Sequence, residues 1–141
     1  MSMLRWTPRL WLCAALLMAT LGCGDGGPKL VPVKGTVTID GQPQAGVVLL
    51  FHGANSVSTA SSDASGGFSI VTNAEPGIPA GSYKVTASWP EPIESSGGGM
   101  GATPETPDRL KGKFMIVGQS QISVEVTDAT TEVPAIDLTT K

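Results

Sequence analysis

Tyr83-Lys84-Val85-Thr86-Ala87-Ser88-Trp89 puts Tyr83, Val85, Ala87 and Trp89 on one face and Lys84, Thr86 and Ser88 on the other. Side chains of an extended chain alternate between two faces, so a strict period of two marks a strand with one side on a core. Pro79 and Gly81 precede it and Pro90 follows it, residues that open turns and end ladders. Upstream, Val31 to Ile39 predicts one strand with Val33, Gly35, Val37 and Ile39 inward, closed by the turn dipeptide Asp40-Gly41. Val47 to Phe51 (VVLLF) is a continuous apolar run between turn residues, which predicts a strand covered on both sides. Gly53 to Ser62 is open between a loop and an edge strand through Val57 and Thr59. After the turn Asp63 to Gly67, Phe68, Ile70 and Thr72 share a face. Downstream, Ile122, Val124 and Val126 alternate, and Val133, Ile136 and Leu138 close the series. About seven short strands with turn signals every ten residues or so predict an all-β sandwich over 31–141.

Two stretches depart from this rhythm. Pro90 to Asp108 holds Pro90, Pro92, Pro104 and Pro107 and the run Ser95-Ser96-Gly97-Gly98-Gly99. Prolines remove donors and glycines raise the entropy of ordering, so the stretch is expected to build no ladder and to be disordered. Leu110 to Val117 (LKGKFMIV) couples Lys111 and Lys113 to Phe114, Met115 and Ile116. It reads either as a return strand at the sheet edge or as a surface patch facing lipid headgroups.

The N-terminus is a separate physical object. Arg5 and Arg9 precede Leu10 to Leu21, a run without charge. A basic start and about a dozen apolar residues match a signal peptide, and the run is shorter than the roughly 20 residues of a spanning helix. Residues 1–22 are therefore expected to be removed, and 23–30 to form a Gly-rich tether. Thr20-Leu21-Gly22-Cys23 resembles the lipobox of bacterial lipoproteins, with Thr20 where that family prefers Leu. The resemblance implies that Cys23 carries acyl chains such as palmitate and becomes the mature N-terminus. Cleavage by the general signal peptidase, leaving Cys23 a free thiol, and an uncleaved anchor are the competing readings. The domain would then sit outside the cytoplasm on the cell membrane or the outer membrane.

The remaining chain has seven Lys/Arg against twelve Asp/Glu, a net charge of −5. Phosphate-backbone binding needs clustered cations, so nucleic acid is not an expected partner. His52, the one histidine, ends an apolar strand, and no second His, CxxC or HExxH stands ready for a metal. Asp63 and Ser65 are two oxygen donors where calcium wants six or more. Gly97-Gly98-Gly99-Met100-Gly101 lacks the Lys-Ser/Thr of a phosphate loop. No cofactor, metal or catalytic role is expected. Trp89 either caps the open end of the core or, with the loops near His52, presents a platform for a carbohydrate or small ligand.

Three motifs in order carry a family likeness. Val33-Lys34-Gly35-Thr36-Val37 with Asp40-Gly41-Gln42-Pro43 and Gly46 to Phe51 resembles the opening of carboxypeptidase regulatory-like domains. Ser62 to Phe68 resembles their D-x-x-G-x-F turn, and Ile78 to Val85 their P-x-G-x-Y-x-V element. The resemblance covers Val31 to about Trp89 and implies a seven-stranded Greek-key sandwich of the transthyretin (prealbumin) type. Physical chemistry alone gives the matched residues building roles: Gly41, Asp63 and Gly66 in turns, Phe68 facing the core, Gly81 at a sharp strand entry and Tyr83 with its ring buried. These motifs say how the domain is built, not what it binds, and with no peptidase domain beside it nothing of that family's peptidase activity carries over. With no catalytic constellation in the sequence, the expectation is a non-enzymatic structural or protein-interaction module at the cell envelope, with an envelope protein or a carbohydrate as its partner.

Overall fold

The structure, a computed structural model, describes residues 26–92 and 106–141. Among the described residues there are twelve strand segments. They are β1 (Leu30–Val31), β2 (Lys34–Ile39), β3 (Gln42–Pro43), β4 (Val48–His52), β5 (Val57–Ser61) and β6 (Gly67–Ser69). The rest are β7 (Val71–Thr72), β8 (Glu75–Pro76), β9 (Ile78–Pro79), β10 (Gly81–Ser88), β11 (Ser123–Val126) and β12 (Ile136–Leu138). A single 3₁₀ turn, Val117–Gln119, is the one helical element among the described residues. The protein is all-β and sandwich-like.

The larger sheet runs β11-β10-β4-β5-β7-β8. Its centre is the antiparallel pair β4–β10, in register from His52↔Lys84 through Phe51↔Val85 to Val48↔Ser88. Leu49, Phe51, Tyr83, Val85 and Ala87 all point inward and are buried. The second sheet is built on β2, which takes β12 in parallel on one side (Ile136↔Val37) and β3 and β6 antiparallel along the other. Val37, Ile39, Phe68, Ile136 and Leu138 form its inner face. The Phe51 and Phe68 rings, 6.1 Å apart at 45°, join the two inner faces. Full burial of such side chains contributes roughly 1.5–3 kcal/mol each.

Several expectations need correction. Val31 to Ile39 is not one strand: Pro32 has no N–H to give, and the chain leaves β1, paired with β9, before joining the second sheet as β2. VVLLF is not covered on both sides; Leu49 and Phe51 are buried while Val48 and Leu50 on the outer face are only half-buried. Gly53 to Ser62 holds a strand, but β5 lies between β4 and β7 rather than at the edge, with Ser58 and Ala60 inward and Val57 out. Phe68, Ile70 and Thr72 keep one alternation while the chain changes sheets: β6 pairs with β2 and β7 with β5. The period of two survives that crossing because all three side chains still enter the shared core.

Leu110 to Val117 is not a strand. It is a chain of turns, with Lys111 and Gly112 at φ of 55° and 70°. Nor is the base of the Pro-rich segment without pairing: Pro90 bridges Asp108, and Arg109 N–H donates to the Trp89 carbonyl at 2.9 Å. The disorder expected of that segment falls largely on 93–105. The signal peptide and Cys23 fall within 1–25. Both stretches lie outside the described residues.

The strands give the domain two poles. At one, Leu30 and Val31 pair with Pro79 and Ile78, next to the start of β10 and the end of β4. At the other stand the Asp40-Gly41 turn, the end of β10 at Ser88 and the chain end, where Thr140 Oγ1 donates to Asp40 at 2.6 Å. Asp40 and Gly41 have φ of 51° and 81°, the left-handed pair that a two-residue hairpin of this twist requires.

Candidate functional site

Asp108 organises the pole away from Leu30. Its Oδ1 accepts the Trp89 N–H at 2.7 Å and the Leu110 N–H at 3.0 Å, and its Oδ2 the Gly112 N–H at 2.8 Å. Partial burial pushes this carboxyl up, but the donors from Trp89, Gly112 and Leu110 together outweigh that and hold it below the usual carboxylate range. Trp89 packs its ring against the core margin and donates Nε1–H to the Ala45 carbonyl at 3.1 Å. The Arg109 guanidinium lies 4.7 Å over that ring and 4.0 Å from Glu91. One face of the indole is thus roofed by a cation and the other rests on protein.

Asp63 repeats this construction. Its Oδ1 accepts Ser65 N–H at 2.8 Å and Gly67 N–H at 3.0 Å, and Ser65 Oγ–H at 2.6 Å. The Ser65 hydroxyl, then the Ser65 N–H, account for most of the lowering of its pKa, with Gly67 adding to it. In both turns the aspartate takes N–H groups two and four residues on, and the residue three on donates to the aspartate carbonyl at 2.9 Å. That third residue is left-handed in both: Gly66 at 76° and Lys111 at 55°. The spacing Asp-x-x-x-Gly, visible at 63–67 and at 108–112, is the signal that would have found Asp108 in the sequence.

The other sequence-singled residues are spread through the frame. Phe68 enters the core 5 % exposed. Gly81 opens β10, and Tyr83 buries its ring while its hydroxyl donates to the Pro79 carbonyl at 2.7 Å. Gly53 lies so close under that ring that a Cβ there would stand 2.6 Å from it. His52 Nε2 meets Thr86 Oγ1 at 2.9 Å across β4 and β10. Thr86 is 3 % exposed, a hydroxyl no substrate can approach, so the pair pins two strands together.

His52 and Trp89 do not form one site. They stand at opposite ends of the β4–β10 ladder, separated by five residues of β10, roughly 17 Å at strand rise. They also face opposite sides, His52 outward and Trp89 toward the core. A groove of about 750 Å³ opens between β5 and β6, with Lys34, Ser61, Asp63 and Ser69 on its rims and Phe68 at its floor. Its one carboxylate, Asp63, has Oδ1 engaged by its own turn. Among the described residues no three His, Cys, Asp or Glu side chains gather as a metal would need, and no helix is long and apolar enough to cross a membrane. Comparison of the chain with protein-family models, curated proteins and solved structures finds no match.

Proposed function

We propose that this chain is an exported lipoprotein, held to a membrane through acylated Cys23, whose transthyretin-like sandwich serves as a non-enzymatic interaction module at the cell envelope. The observation that carries this reading is the polarity of the domain. The chain enters beside Leu30 and Val31, clamped against β9, while the Trp89–Asp108 junction stands at the far end of β10. A tether at the first pole would keep the second a domain's length from the point of attachment, where a partner can reach it. The basic start, the apolar run and Gly22-Cys23 support export and lipidation. The Asp40-Gly41 hairpin, the Asp63 turn into Phe68 and the Tyr83 hydroxyl bond support a carboxypeptidase regulatory-like frame.

The carbohydrate-binding alternative loses its shared pocket, because Trp89 and His52 lie apart and Arg109 covers the indole. Fractionation of cells making the wild type and Cys23→Ala tests the anchor. The expected result is loss of the variant from the membrane fraction or arrested processing; unchanged detergent-dependent retention would overturn it. A photo-crosslinker placed at Glu91 tests the module, and is expected to capture an envelope protein. Quenching of Trp89 fluorescence by a sugar, without protein capture, would favour the alternative.

A further inference from the structure

Three of the seven basic residues downstream of the apolar run fall within five positions, Arg109, Lys111 and Lys113. From Arg109 to Val124 there is no acidic residue, in a region whose net charge is −5. The turns that Asp108 sets place these cations beside the most exposed apolar run of the described chain. Met115, Ile116 and Val117 are 56, 53 and 37 % exposed, three of the four large hydrophobic side chains left in solvent there. The segment leaves β10 where Phe114 accepts the Ala87 N–H and returns where Ile122 accepts the Val85 N–H, so its middle stands out from the sheet edge. Met115 also lines a small hollow with Val48 and Leu50, which extends the apolar surface onto the outer sheet face. Lys111 and Lys113 take part in neither of the two carboxylate ion pairs among the described residues; Lys113 Nζ–H donates to the exposed main-chain oxygen of Lys141 and lies 5.6 Å over the Phe114 ring.

Lys111 is costly where it stands. The twin turn at Asp63 fills the same left-handed position with Gly66, and a side chain there is disfavoured by roughly 1–2 kcal/mol. Exposed apolar residues flanked by two exposed lysines match a surface that is apolar beneath and anionic on top.

We infer that the Lys111–Val117 loop docks on an anionic lipid surface, with Met115, Ile116 and Val117 entering the headgroup boundary and Lys111 and Lys113 meeting the lipid charge. The inference rests on the membrane-anchored reading for the nearness of a bilayer. Anchoring would hold the loop at high local concentration, so a weak contact suffices. The contact would turn one flank of the domain toward the membrane.

Hydrogen exchange at Ile116 and Val117 tests this, using the full chain reconstituted in vesicles of phosphatidylcholine and of mixed phosphatidylglycerol and phosphatidylcholine. Exchange is expected to slow on the anionic vesicles by on the order of ten-fold relative to the neutral ones, since each lysine near an anionic leaflet favours contact by about five-fold. The variant Lys111→Gly/Lys113→Gln keeps the turn geometry and should abolish the difference; Ile116→Ser/Val117→Ser should do the same without changing the charge. Equal exchange on both vesicle types, or a difference that survives Lys111→Gly/Lys113→Gln, would overturn the inference. Flotation of the same samples reports attachment separately: a chain that fails to float on neutral vesicles counts against the anchor, whatever the loop does.

Discussion

One carboxylate oxygen of Asp108 accepts the main-chain N–H of Trp89 at 2.7 Å, nineteen residues back along the chain. Through that bond the end of β10 and the start of the turns at Leu110 share a single acceptor. Asp108→Ala removes three charge-assisted bonds at once and should cost about 2–4 kcal/mol. Asp108→Asn keeps an acceptor for Trp89 and Leu110 but faces Gly112 with an amide nitrogen, so it should fall between. Urea unfolding measures both. Because Arg109 is placed by the same turn, Trp89 emission should shift to the red in the Ala variant.

Acid should loosen the domain in a defined order of sign. Asp40, Asp63 and Asp108 all have folded pKa values below the ordinary one, held there chiefly by Thr140 at Asp40, by Ser65 at Asp63, and at Asp108 by main-chain donors acting against burial. Above the unfolded value of about 3.9 each carboxyl is ionised in both states and its contribution is complete. As pH falls below that, the unfolded chain takes up protons first, and the contribution is lost through the lower folded value. Urea midpoints should therefore be flat from neutrality to about pH 5 and decline below about pH 4. Asp63→Asn should make the decline shallower; an unchanged slope would count against the turn as its source.

Gly35 is a packing position. A Cβ there would lie 2.4 Å from the Phe68 ring and 2.7 Å from Val133, inside the core where neither neighbour is the end of a flexible chain. Gly35→Ala should destabilise by roughly 1–3 kcal/mol. Phe68→Leu should be less harmful in the Gly35→Ala background than alone, and a double-mutant cycle reads that coupling directly.

Thr72 carries a buried relay. Its hydroxyl donates to the Gly77 carbonyl at 2.7 Å, so the 2.7 Å contact with Ser58 must be donated by Ser58. Thr72→Val leaves both the Gly77 carbonyl and the Ser58 hydroxyl buried without that partner, and should cost roughly 2 kcal/mol or more. Ser58→Ala removes only a donor to a hydroxyl that keeps its other bond, and should cost about 1 kcal/mol. Thermal melts that rank the two the other way would refute the assigned proton direction.

What the sequence made legible was local. The alternation at Tyr83 to Trp89 and the Asp40-Gly41 dipeptide each contain their own cause, in side-chain direction and backbone conformation. The misread pieces have causes that hydrophobic alternation does not carry. Lys111-Gly112-Lys113-Phe114 has the alternation of a strand, yet Asp108 draws its N–H groups into turns and Lys111 accepts a left-handed conformation. The change of sheet at Ile70 leaves no trace in periodicity, because its neighbours on both sheets face one core. Of the candidate positions, Asp63 was readable from its turn. Asp108 needed the same spacing to be noticed a second time, and the distance between His52 and Trp89 needed the ladder register.

The placement of β2 bears on how the domain withstands pulling. A load drawn through Leu30 against a partner gripping the opposite pole runs along β2, whose flanks are held by β12 on one side and by β6 and β3 on the other. Ladder hydrogen bonds lie across the strand direction, so such a load shears many of them together instead of unzipping them singly. A chain hung from one end in this way would have its greatest mechanical resistance along the axis on which an anchored protein is tugged.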